Sequence, residues 1–425
     1  MTRPRTTSTA FTACAILALW ALTAGICLFY LTSPGLLFGR ANDFVVEAYP
    51  ALHQLALAHV GAFLTASPGY VGSLILRAPF ALIALAFHAD WQVTYLATAL
   101  PCVAAAPLLA TWLVRVLELP TEAFWGRVSP LGLLLVINPT FIYCIVLGHP
   151  EDVFVAALAI AGVVQAARDR WLPAMLLVGL AAVSKSWALV AVPVAICVLP
   201  QRRLRATVTV SMLIAAVDGP LILLRSGGVQ SLGAGTGQIF HFSQLWAWFG
   251  PTSWVSVHAH ELIVLTAAAC ALLWRQRHPV PRQGANAIRD ALTLLSLVFL
   301  LRAAMDPWDN IYYQLPFLMA VYAIEIGRPP RLSVVSTLLL VAVTVPLPVY
   351  GFDVRATAYA IVTLPILATV IRALLARPAP ESGRPRAVSS ADHRQLQPGQ
   401  TLVSPVAALP SPLPAQSGGR EQTPR

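Results

Sequence analysis

A single lysine, Lys185, stands among the 28 Lys and Arg residues of this chain, so the other 27 are arginines. Lys185 interrupts a long apolar run between Leu172 and Leu199. An ammonium group at membrane depth is costly, so such a residue usually faces a cavity, a charged partner or the membrane interface. A compact cation near a membrane suits a ligand that carries a phosphate group. Lys185 is therefore the first candidate binding residue.

Acidic and aromatic residues between the apolar runs supply the remaining groups that can do chemistry. A carboxylate can take the proton of a hydroxyl that attacks a substrate, and cations can stabilise a phosphate leaving group. The candidates lie in four polar segments: Asp43 and Glu47; His149, Glu151 and Asp152; His241; and Asp306, Asp309, Asn310 and Tyr313. We expect the helices between these segments to bring them together with Lys185.

The chain has the composition of a polytopic membrane protein. It is 57% hydrophobic and only 11% charged, its mean hydropathy is +0.72, and many of its mostly apolar runs are about 18 residues or longer. The first run, Phe11 to Leu31, follows two arginines and precedes no convincing cleavage site, so we interpret it as an uncleaved signal anchor. The net charge of +10 comes mostly from arginines in short loops and in the tail. It indicates orientation and not nucleic-acid binding.

These arginines predict which ends of the spans face the cytoplasm. They cluster between apolar runs, and the positive-inside rule places all the clusters in the cytoplasm. The clusters are Arg3/Arg5, Arg168/Arg170, Arg202/Arg203/Arg205, Arg275/Arg277/Arg282, Arg328/Arg331 and the arginines from Arg372 onward. The segment between the second and third clusters must then cross an even number of times. Two short helices, Leu172 to Val183 and Ser186 to Leu199, satisfy this rule and place Lys185 at the outer turn. The alternative is one tilted helix.

The same rule orders the remaining spans. We expect them at about 70–87, 92–114, 130–147, 153–167, 206–224, 257–274, 287–301, 311–326, 332–349 and 357–375. Ala51 to Leu64 is either a further crossing or an amphipathic helix at the interface. The prediction is an all-α bundle of about 12–14 transmembrane helices over residues 10–376. Residues 1–9 and the tail 377–425 are predicted to be cytoplasmic, and the tail, rich in Pro, Ser, Gln and Arg, to be disordered.

The predicted topology places the polar segments on the extracytoplasmic side, whereas the inward loops carry little beyond arginines and prolines. This asymmetry indicates an acid-containing site at the outer face, with Lys185 at its floor. A transferase that uses a lipid-linked sugar phosphate needs such a site, with a carboxylate for the acceptor hydroxyl and cations for the phosphate. Its partners would be a polyprenyl-phosphate-linked sugar donor, a lipid or glycan acceptor and the lipid bilayer.

Three segments carry a resemblance to a known family. They are Leu147 to Asp152, Gly179 to Trp187 and Asp306 to Tyr313, which read LGHPED, GLAAVSKSW and DPWDNIYY. Over roughly residues 10–375, the chain resembles integral membrane glycosyltransferases of the GT-C fold. Within that fold, it is similar to the actinobacterial polyprenyl-phosphate-mannose-dependent alpha-mannosyltransferases. The resemblance implies transfer of a sugar, mannose in that family, from a polyprenyl-phosphate donor to a lipid or cell-envelope acceptor at the extracytoplasmic face.

The resemblance also implies roles for single residues. The family's catalytic base is an aspartate in the first outer loop, and Asp43 occupies that place. Outward-facing basic side chains hold the donor phosphate in this fold, which suits Lys185, and helices along the membrane in the first loop suit Ala51 to Leu64. A metal-binding acidic pair in the second outer loop is represented at best by Glu151 and Asp152, so a divalent cation is left open. No other cofactor is implied, and the six cysteines show no CxxC spacing.

Each candidate also has a structural interpretation. Acids suit the positive end of a helix, where they cap it or lie in its first turn. This interpretation fits Asp43, Glu151, Asp152 and Asp306. Lys185 could extend to the lipid headgroups, Glu47 could bind the acceptor or be structural, and the tryptophans at 246, 248 and 254 are typical of an interfacial belt.

A rival class is a membrane transporter or lipid flippase, which would also use intramembrane polar residues and broken helices. Such a protein would be expected to carry its polar groups near the midplane and to show internal repeats. The sequence shows no repeat, and its polar groups cluster towards one predicted face. A transferase is therefore the preferred interpretation, with the transporter or flippase as the alternative.

Overall fold

The structure is a computed structural model that describes Gly25 and residues 43–119, 138–224, 245–250, 252–278, 284–307, 311–344 and 352–375. All regular elements in these ranges are helical and none is a strand, which confirms the predicted all-α class for the described residues. Apart from Gly25, the predicted signal anchor lies outside them. The predicted disordered tail, 377–425, also lies outside them.

The described part of the chain forms a succession of helices, several of them short. They are α1 (Tyr49–Ala56), α2 (Val60–Ala66), α3 (Val71–Ala86), α4 (Trp91–Val116), α5 (Pro139–Leu147), α6 (Glu151–Ala167), α7 (Trp171–Ser184), α8 (Ala191–Val198), α9 (Arg203–Leu224), α10 (Trp254–Val257), α11 (Ala259–Arg277), α12 (Gly284–Met305), α13 (Leu315–Glu325), α14 (Arg331–Thr344) and α15 (Phe352–Leu375). A π-helical turn, Phe44–Ala48, precedes α1, and 3-10 turns occur at Ser186–Val190, Leu245–Phe249 and Ile311–Gln314.

Helix α6 lies in the interior of the bundle and packs against α4, α7, α8, α12 and α13. Its residues are apolar on nearly all sides, as expected for a helix surrounded by others. Gly162 lets α7 approach closely, because a Cβ atom there would collide with Val178. The first turn of α6 carries two buried acids, Glu151 and Asp152. The sequence thus places two carboxylates inside the protein at one end of its central helix.

The predicted break at Lys185 is confirmed. Helix α7 ends at Ser184, and Lys185 adopts an extended conformation (φ −155°, ψ 124°) before the 3-10 turn that leads into α8. Helix α8 packs against α6 as well as α7, as expected if the chain reverses direction at Lys185. A single unbroken helix over this segment is therefore wrong.

The segment from Ala51 to Leu64, for which a further crossing and an amphipathic helix were both open, forms two short helices. The chain turns between α1 and α2 at Leu57 to His59, where Ala58 has a positive φ of 59°. Each helix buries part of one face, with Leu52 and Phe63 among the buried residues. The apolar pattern correctly predicts helix here, but it does not predict the break, because nothing in the sequence indicates that Ala58 adopts a left-handed conformation.

Two described helices are long and apolar enough to cross a membrane, judged by length and composition: Trp91–Val116 and Arg203–Leu224. Five shorter apolar helical segments have 10–17 residues: Val71–Ala86, Trp171–Ser184, Ser186–Val198, Arg331–Ala342 and Thr363–Arg372. The described residues thus confirm the helical class, whereas the predicted bundle of about 12–14 transmembrane helices stays a prediction.

Candidate active site

The site is built around the connection between α5 and α6. Helix α5 ends at Gly148, whose left-handed conformation (φ 102°) suits a helix C-terminus. Pro150 then precedes the first turn of α6, where the fixed φ of proline is compatible with a helix start. His149 lies between them, and its backbone N–H donates to the carbonyl of Cys144 (2.9 Å). This tight connection brings His149 Nδ1 to 3.2 Å from Oε1 of Glu151.

Glu151 is the centre of a buried ion-pair network. Its Oε2 accepts from Arg77 Nη1 at 2.7 Å, and its Oε1 lies 2.9 Å from Lys185 Nζ. Glu151 and Arg77 are only 1% and 2% exposed, so neither charge would be tolerated without its partner. Burial raises the pKa of Glu151, but the charges of Lys185 and Arg77 outweigh burial and hold that pKa well below its ordinary value. Glu151 is therefore a permanent carboxylate.

Asp152 extends the network towards Trp187. Its Oδ1 accepts from Trp187 Nε1 at 3.2 Å and lies 3.8 Å from Lys185 Nζ. Neither Asp152 nor Glu151 caps α6, because Pro150 occupies the N-cap position and no side chain there accepts a capping hydrogen bond from the helix. The two acids lie in the first helical turn as the structural interpretation required, but their side chains bind cations and an indole.

His149 connects the buried network to Asp43. Its Nε2 lies 2.8 Å from Asp43 Oδ2, and its Nδ1 lies 3.1 Å from Lys185 Nζ. The ring packs on Tyr312, with centroids 5.2 Å apart. Burial and the charge of Lys185 lower the pKa of His149, but the hydrogen bonds with Asp43 and Glu151 outweigh both and raise that pKa to about 9.

Asp43 is the accessible end of this chain of hydrogen bonds. Its side chain is 38% exposed, whereas the side chain of His149 is 6% exposed and that of Glu151 1%. Asp43 precedes the π-helical turn but makes no capping hydrogen bond, so the helix-cap interpretation does not describe it. One carboxylate oxygen is bound by His149, and among the described residues the structure gives no hydrogen-bond partner to the other, which can meet a ligand. An exposed, oriented carboxylate of this kind can accept a proton.

Lys185 is enclosed by acids and an aromatic ring. It is 8% exposed, and its ammonium lies 4.0 Å from the centroid of the Tyr70 ring, in a cation–π geometry. The Tyr70 hydroxyl donates to the carboxylate of Glu47. Burial lowers the pKa of Lys185, but Glu151 and Asp152 outweigh it and raise that pKa. Lys185 is thus a permanent cation that points inward, which does not match the interpretation of a side chain extended to lipid headgroups.

A second buried pair, Arg302 and Asp306, adjoins the network. Their side chains form an ion pair at 3.0 Å, and the Arg302 guanidinium lies 4.0 Å from the Tyr313 ring and 5.7 Å from Trp187. Asp306 directly follows the C-terminal end of α12. Its ion pair points back to the preceding turn, whereas residues 308–310, which a helix capped by Asp306 would include, lie outside the described residues. The interpretation of Asp306 as an N-cap therefore stays a prediction.

Most of the predicted site residues come together in the structure. Those within the network or joined to it are Asp43, Glu47, His149, Glu151, Asp152, Lys185, Asp306 and Tyr313. Predicted candidates that lie outside the described residues are His241, Asp309 and Asn310. Of the belt tryptophans, Trp246 is buried and donates to the Met305 carbonyl, whereas Trp248 and Trp254 are 80% and 66% exposed.

Sequence reasoning missed two members of the site. Arg77 lies inside α3, an otherwise apolar helix, and a charged residue in such a segment is itself a signal of a partner or a site. Its second nitrogen, Nη2, donates to Thr98 Oγ1 on α4 at 3.1 Å. Tyr70 carried no comparable signal, because its role depends on a long-range contact with Lys185.

The site does not fit a divalent cation at Glu151 and Asp152. Both oxygens of Glu151 are engaged by cationic side chains, Oε2 by Arg77 and Oε1 by Lys185. Among the described residues, no group of three or more His, Cys, Asp or Glu side chains has an arrangement that could hold a metal ion. We therefore assign no metal-dependent step to these residues.

Comparison with known proteins finds no matching family model, no matching curated protein and no matching solved structure.

Proposed function

We propose that this protein is a polytopic membrane glycosyltransferase of the GT-C type. It would transfer a sugar, with mannose the first candidate, from a polyprenyl-phosphate donor to a hydroxyl of a lipid or cell-envelope acceptor at the extracytoplasmic face. The observation that carries the proposal is the half-exposed carboxylate of Asp43, held at 2.8 Å by a histidine that is itself anchored in a buried charge network.

In the proposed reaction, Asp43 is the general base. The acceptor oxygen forms a bond to the anomeric carbon while the bond from that carbon to the phosphate oxygen breaks. The acceptor proton passes to Asp43, and the electron pair of the broken bond leaves with polyprenyl phosphate. General base catalysis of this kind contributes roughly 10²–10⁴-fold to the rate.

In this proposal, Lys185 binds the donor phosphate, but only after the side chain that now covers its ammonium has moved. Lys185 is close to Glu151 (2.9 Å) and to His149 Nδ1 (3.1 Å) but only loosely paired with Asp152 (3.8 Å), and its remaining side is covered by Tyr70. A phosphate oxygen would have to replace the Tyr70 ring while Glu151 stays in place. The phosphate contact therefore requires a movement of Tyr70.

A membrane location is supported by the exposed apolar face of α9. Three of its large side chains, Leu204, Met212 and Leu223, are 79%, 68% and 86% exposed. A long helix with such a face is unfavourable in water, whereas contact with lipid tails would cover it. With the shorter apolar helices, this supports a bundle that lies in a membrane. The proposed number of about 12–14 crossings and the proposed cytoplasmic position of both termini rest on the apolar runs and arginine clusters of the sequence alone.

Labelling of single cysteines tests the membrane orientation. In a variant whose native cysteines are replaced, Val46→Cys lies near Asp43 on an exposed position (74%), and Arg202→Cys lies in a predicted cytoplasmic cluster. We expect a membrane-impermeant thiol reagent added to intact cells to label position 46 and not position 202. Labelling of 202 alone would reverse the orientation and move the site to the cytoplasm.

The alternative of a transporter or flippase is favoured by one observation, the helix break at Lys185 beside buried charges. Sugar transfer distinguishes the two classes. We would incubate the purified protein in detergent with radiolabelled polyprenyl-phosphate-mannose and a cell-envelope lipid extract. A transferase would release polyprenyl phosphate and label an acceptor, whereas a flippase would leave the donor intact.

The decisive variant is Asp43→Asn, which keeps the size and polarity of the side chain but removes its basicity. We expect its turnover to fall by about 100-fold or more with little change in thermal stability. Asp90→Asn is the matched control, because Asp90 is an exposed cap of α4 (2.9 Å to the Val93 N–H) and asparagine caps equally well. Wild-type turnover in Asp43→Asn would remove Asp43 from the mechanism.

A further inference from the structure

We infer that His149 is a positioning residue that holds the Asp43 carboxylate in its working orientation, and that Lys185 and Glu151 together keep a proton on the ring nitrogen that faces Asp43. The inference rests on the proposed function for its catalytic meaning. The contact itself can be tested without any assumption about the reaction.

The orientation of Asp43 depends on His149. The terminal torsion of an aspartate side chain is soft, so a carboxylate at the surface rotates unless a neighbour holds it. Among the described residues, the hydrogen bond that the structure gives to the Asp43 carboxylate comes from His149 Nε2, at 2.8 Å. Asp43 makes no capping bond to its own helical turn. With Oδ2 bound to His149, Oδ1 has a defined position for a substrate hydroxyl.

The imidazole is fixed on its other sides. The face of the ring packs on Tyr312 at 5.2 Å. The backbone of His149 is held by Cys144, whose carbonyl accepts the His149 N–H (2.9 Å) and whose Sγ lies 2.7 Å from the His149 carbonyl oxygen. The ring therefore cannot turn away from Asp43 without breaking contacts inside the protein.

The surroundings of Nδ1 decide where the ring proton lies. Lys185 Nζ is 3.1 Å and Glu151 Oε1 is 3.2 Å from Nδ1. In the doubly protonated ring, Nδ1–H donates to Glu151 and Nε2–H donates to Asp43. In the neutral ring, a proton on Nδ1 would face the Lys185 ammonium, which has only donors to offer, and would leave a bare Nε2 against the Asp43 carboxylate. These two conflicts outweigh the acceptor that Glu151 offers to Nδ1, so Nδ1 accepts from Lys185 and the proton stays on Nε2. In both states, Nε2–H faces Asp43.

This arrangement gives Lys185 a role besides any contact with phosphate. Its ammonium excludes the neutral tautomer that would turn a bare Nε2 towards the Asp43 carboxylate. Arg77 fixes Glu151 from the opposite side at 2.7 Å, so the two groups that surround Nδ1 are themselves held. The buried charges of Lys185 and Glu151 thus act on the exposed carboxylate of Asp43 through the imidazole ring of His149.

Two amide substitutions separate a positioning role from a structural one. The amide nitrogen of glutamine can occupy the place of Nε2, whereas that of asparagine reaches only as far as Nδ1. We expect His149→Gln to keep kcat within about fivefold of wild type and His149→Asn to lower kcat by roughly 30–100-fold, the scale of a misplaced catalytic group. The KM values for donor and acceptor should change little in either variant.

A double-mutant cycle makes the readout specific. If His149 acts through Asp43, His149→Asn should have almost no further effect on kcat in the Asp43→Asn background. Equal losses in the Gln and Asn variants, or a full additional loss in the double variant, would overturn the inference while leaving Asp43 as the proposed base.

Nitrogen NMR tests the same contact without an activity assay. In protein labelled with ¹⁵N-histidine, the His149 signals are those missing from His149→Gln. We expect Nε2 to stay protonated from pH 6 to 10 in wild type, and Lys185→Met to populate the other tautomer at high pH. An unprotonated Nε2 in wild type would contradict the inference, whatever reaction the protein catalyses. A wild-type protein with protonated Nε2 but no sugar transfer would instead contradict the proposed function.

Discussion

Two buried glutamates, Glu325 and Glu151, differ in the partners of their carboxylates: those of Glu325 are close in sequence, and those of Glu151 are distant side chains. Glu325, at the end of α13, accepts from the backbone N–H groups of Leu332 (2.7 Å) and Ser333 (3.0 Å) and from the Ser333 hydroxyl (2.5 Å). All its partners lie within eight residues along the chain and belong to the start of α14. Glu325 therefore caps α14 from the preceding helix, because it accepts hydrogen bonds from N–H groups that the start of a helix leaves unpaired.

Glu151 instead joins distant side chains. Its partners Arg77 and Lys185 come from α3 and from the break after α7, and its contact with His149 leads outward to Asp43. A local cap completes a turn, whereas a long-range network of charges imposes the relative positions of several elements. Burying these charges costs desolvation free energy. The network ends at an exposed carboxylate, and a ligand site at that carboxylate would explain why the protein tolerates this cost.

The largest expected effect comes from applying the same substitution to both glutamates. Glu151→Gln would leave the buried ammonium and guanidinium with too little counter-charge, and breaking a buried pair in this way costs about 3–5 kcal/mol. We expect a large drop in thermal stability in detergent together with loss of sugar transfer. Urea or thermal unfolding followed by intrinsic fluorescence measures the first effect, and the transfer assay measures the second.

Glu325→Gln is the matched control for this comparison. The amide keeps one acceptor oxygen for the N–H groups of α14, so we expect a loss of only ~1 kcal/mol and unchanged transfer. If both variants lost stability equally and both retained transfer, the distinction between a cap and a site network would not hold. A selective loss of transfer in Glu151→Gln would sharpen it.

Lys185 offers the next largest effect. If it holds the donor phosphate, Lys185→Met should raise the donor concentration needed for half-maximal rate by roughly 10–100-fold, the value of one charge-assisted hydrogen bond. Lys185→Arg keeps the charge but adds a planar fork in an enclosed position, so its effect should be smaller. Donor titration at saturating acceptor compares the three proteins, and acceptor dependence should stay nearly constant.

Equal donor dependence in wild type and both Lys185 variants would leave the ammonium with its internal partners alone. The phosphate would then need another cation, and the positioning of His149 would be the main role of Lys185. A fall in kcat with unchanged donor dependence in Lys185→Met is the outcome that supports this second role.

The sequence predicted those features that depend on local pattern. A lysine within an apolar run indicated a helix break at Lys185, and acids between runs indicated that Asp43, Glu151 and Asp152 would lie at helix ends. The pairing of Arg77 with Glu151 could not be predicted, because the two residues are 74 positions apart and only the packing of α3, α4 and α6 brings them together. Asp306 lies in a predicted polar segment, but the sequence interpretation did not include its ion pair with Arg302, which precedes it by one turn.

The last expected effect is a dependence of stability on pH that originates at His149. Its pKa is raised by hydrogen bonds to about 9 in the folded protein, compared with about 6.5 for an ordinary histidine. A raised pKa means that the folded state binds the proton more tightly, so the stabilisation is fully present below pH ~6.5. It is then lost progressively as the pH rises towards about 9.

We therefore expect the melting temperature of wild type to fall across this interval relative to that of His149→Gln, which has no titrating group at this position. Parallel melting curves for the two proteins from pH 6 to 9.5 would show that His149 titrates alike in the folded and unfolded states, and that the buried charges do not act on its ring.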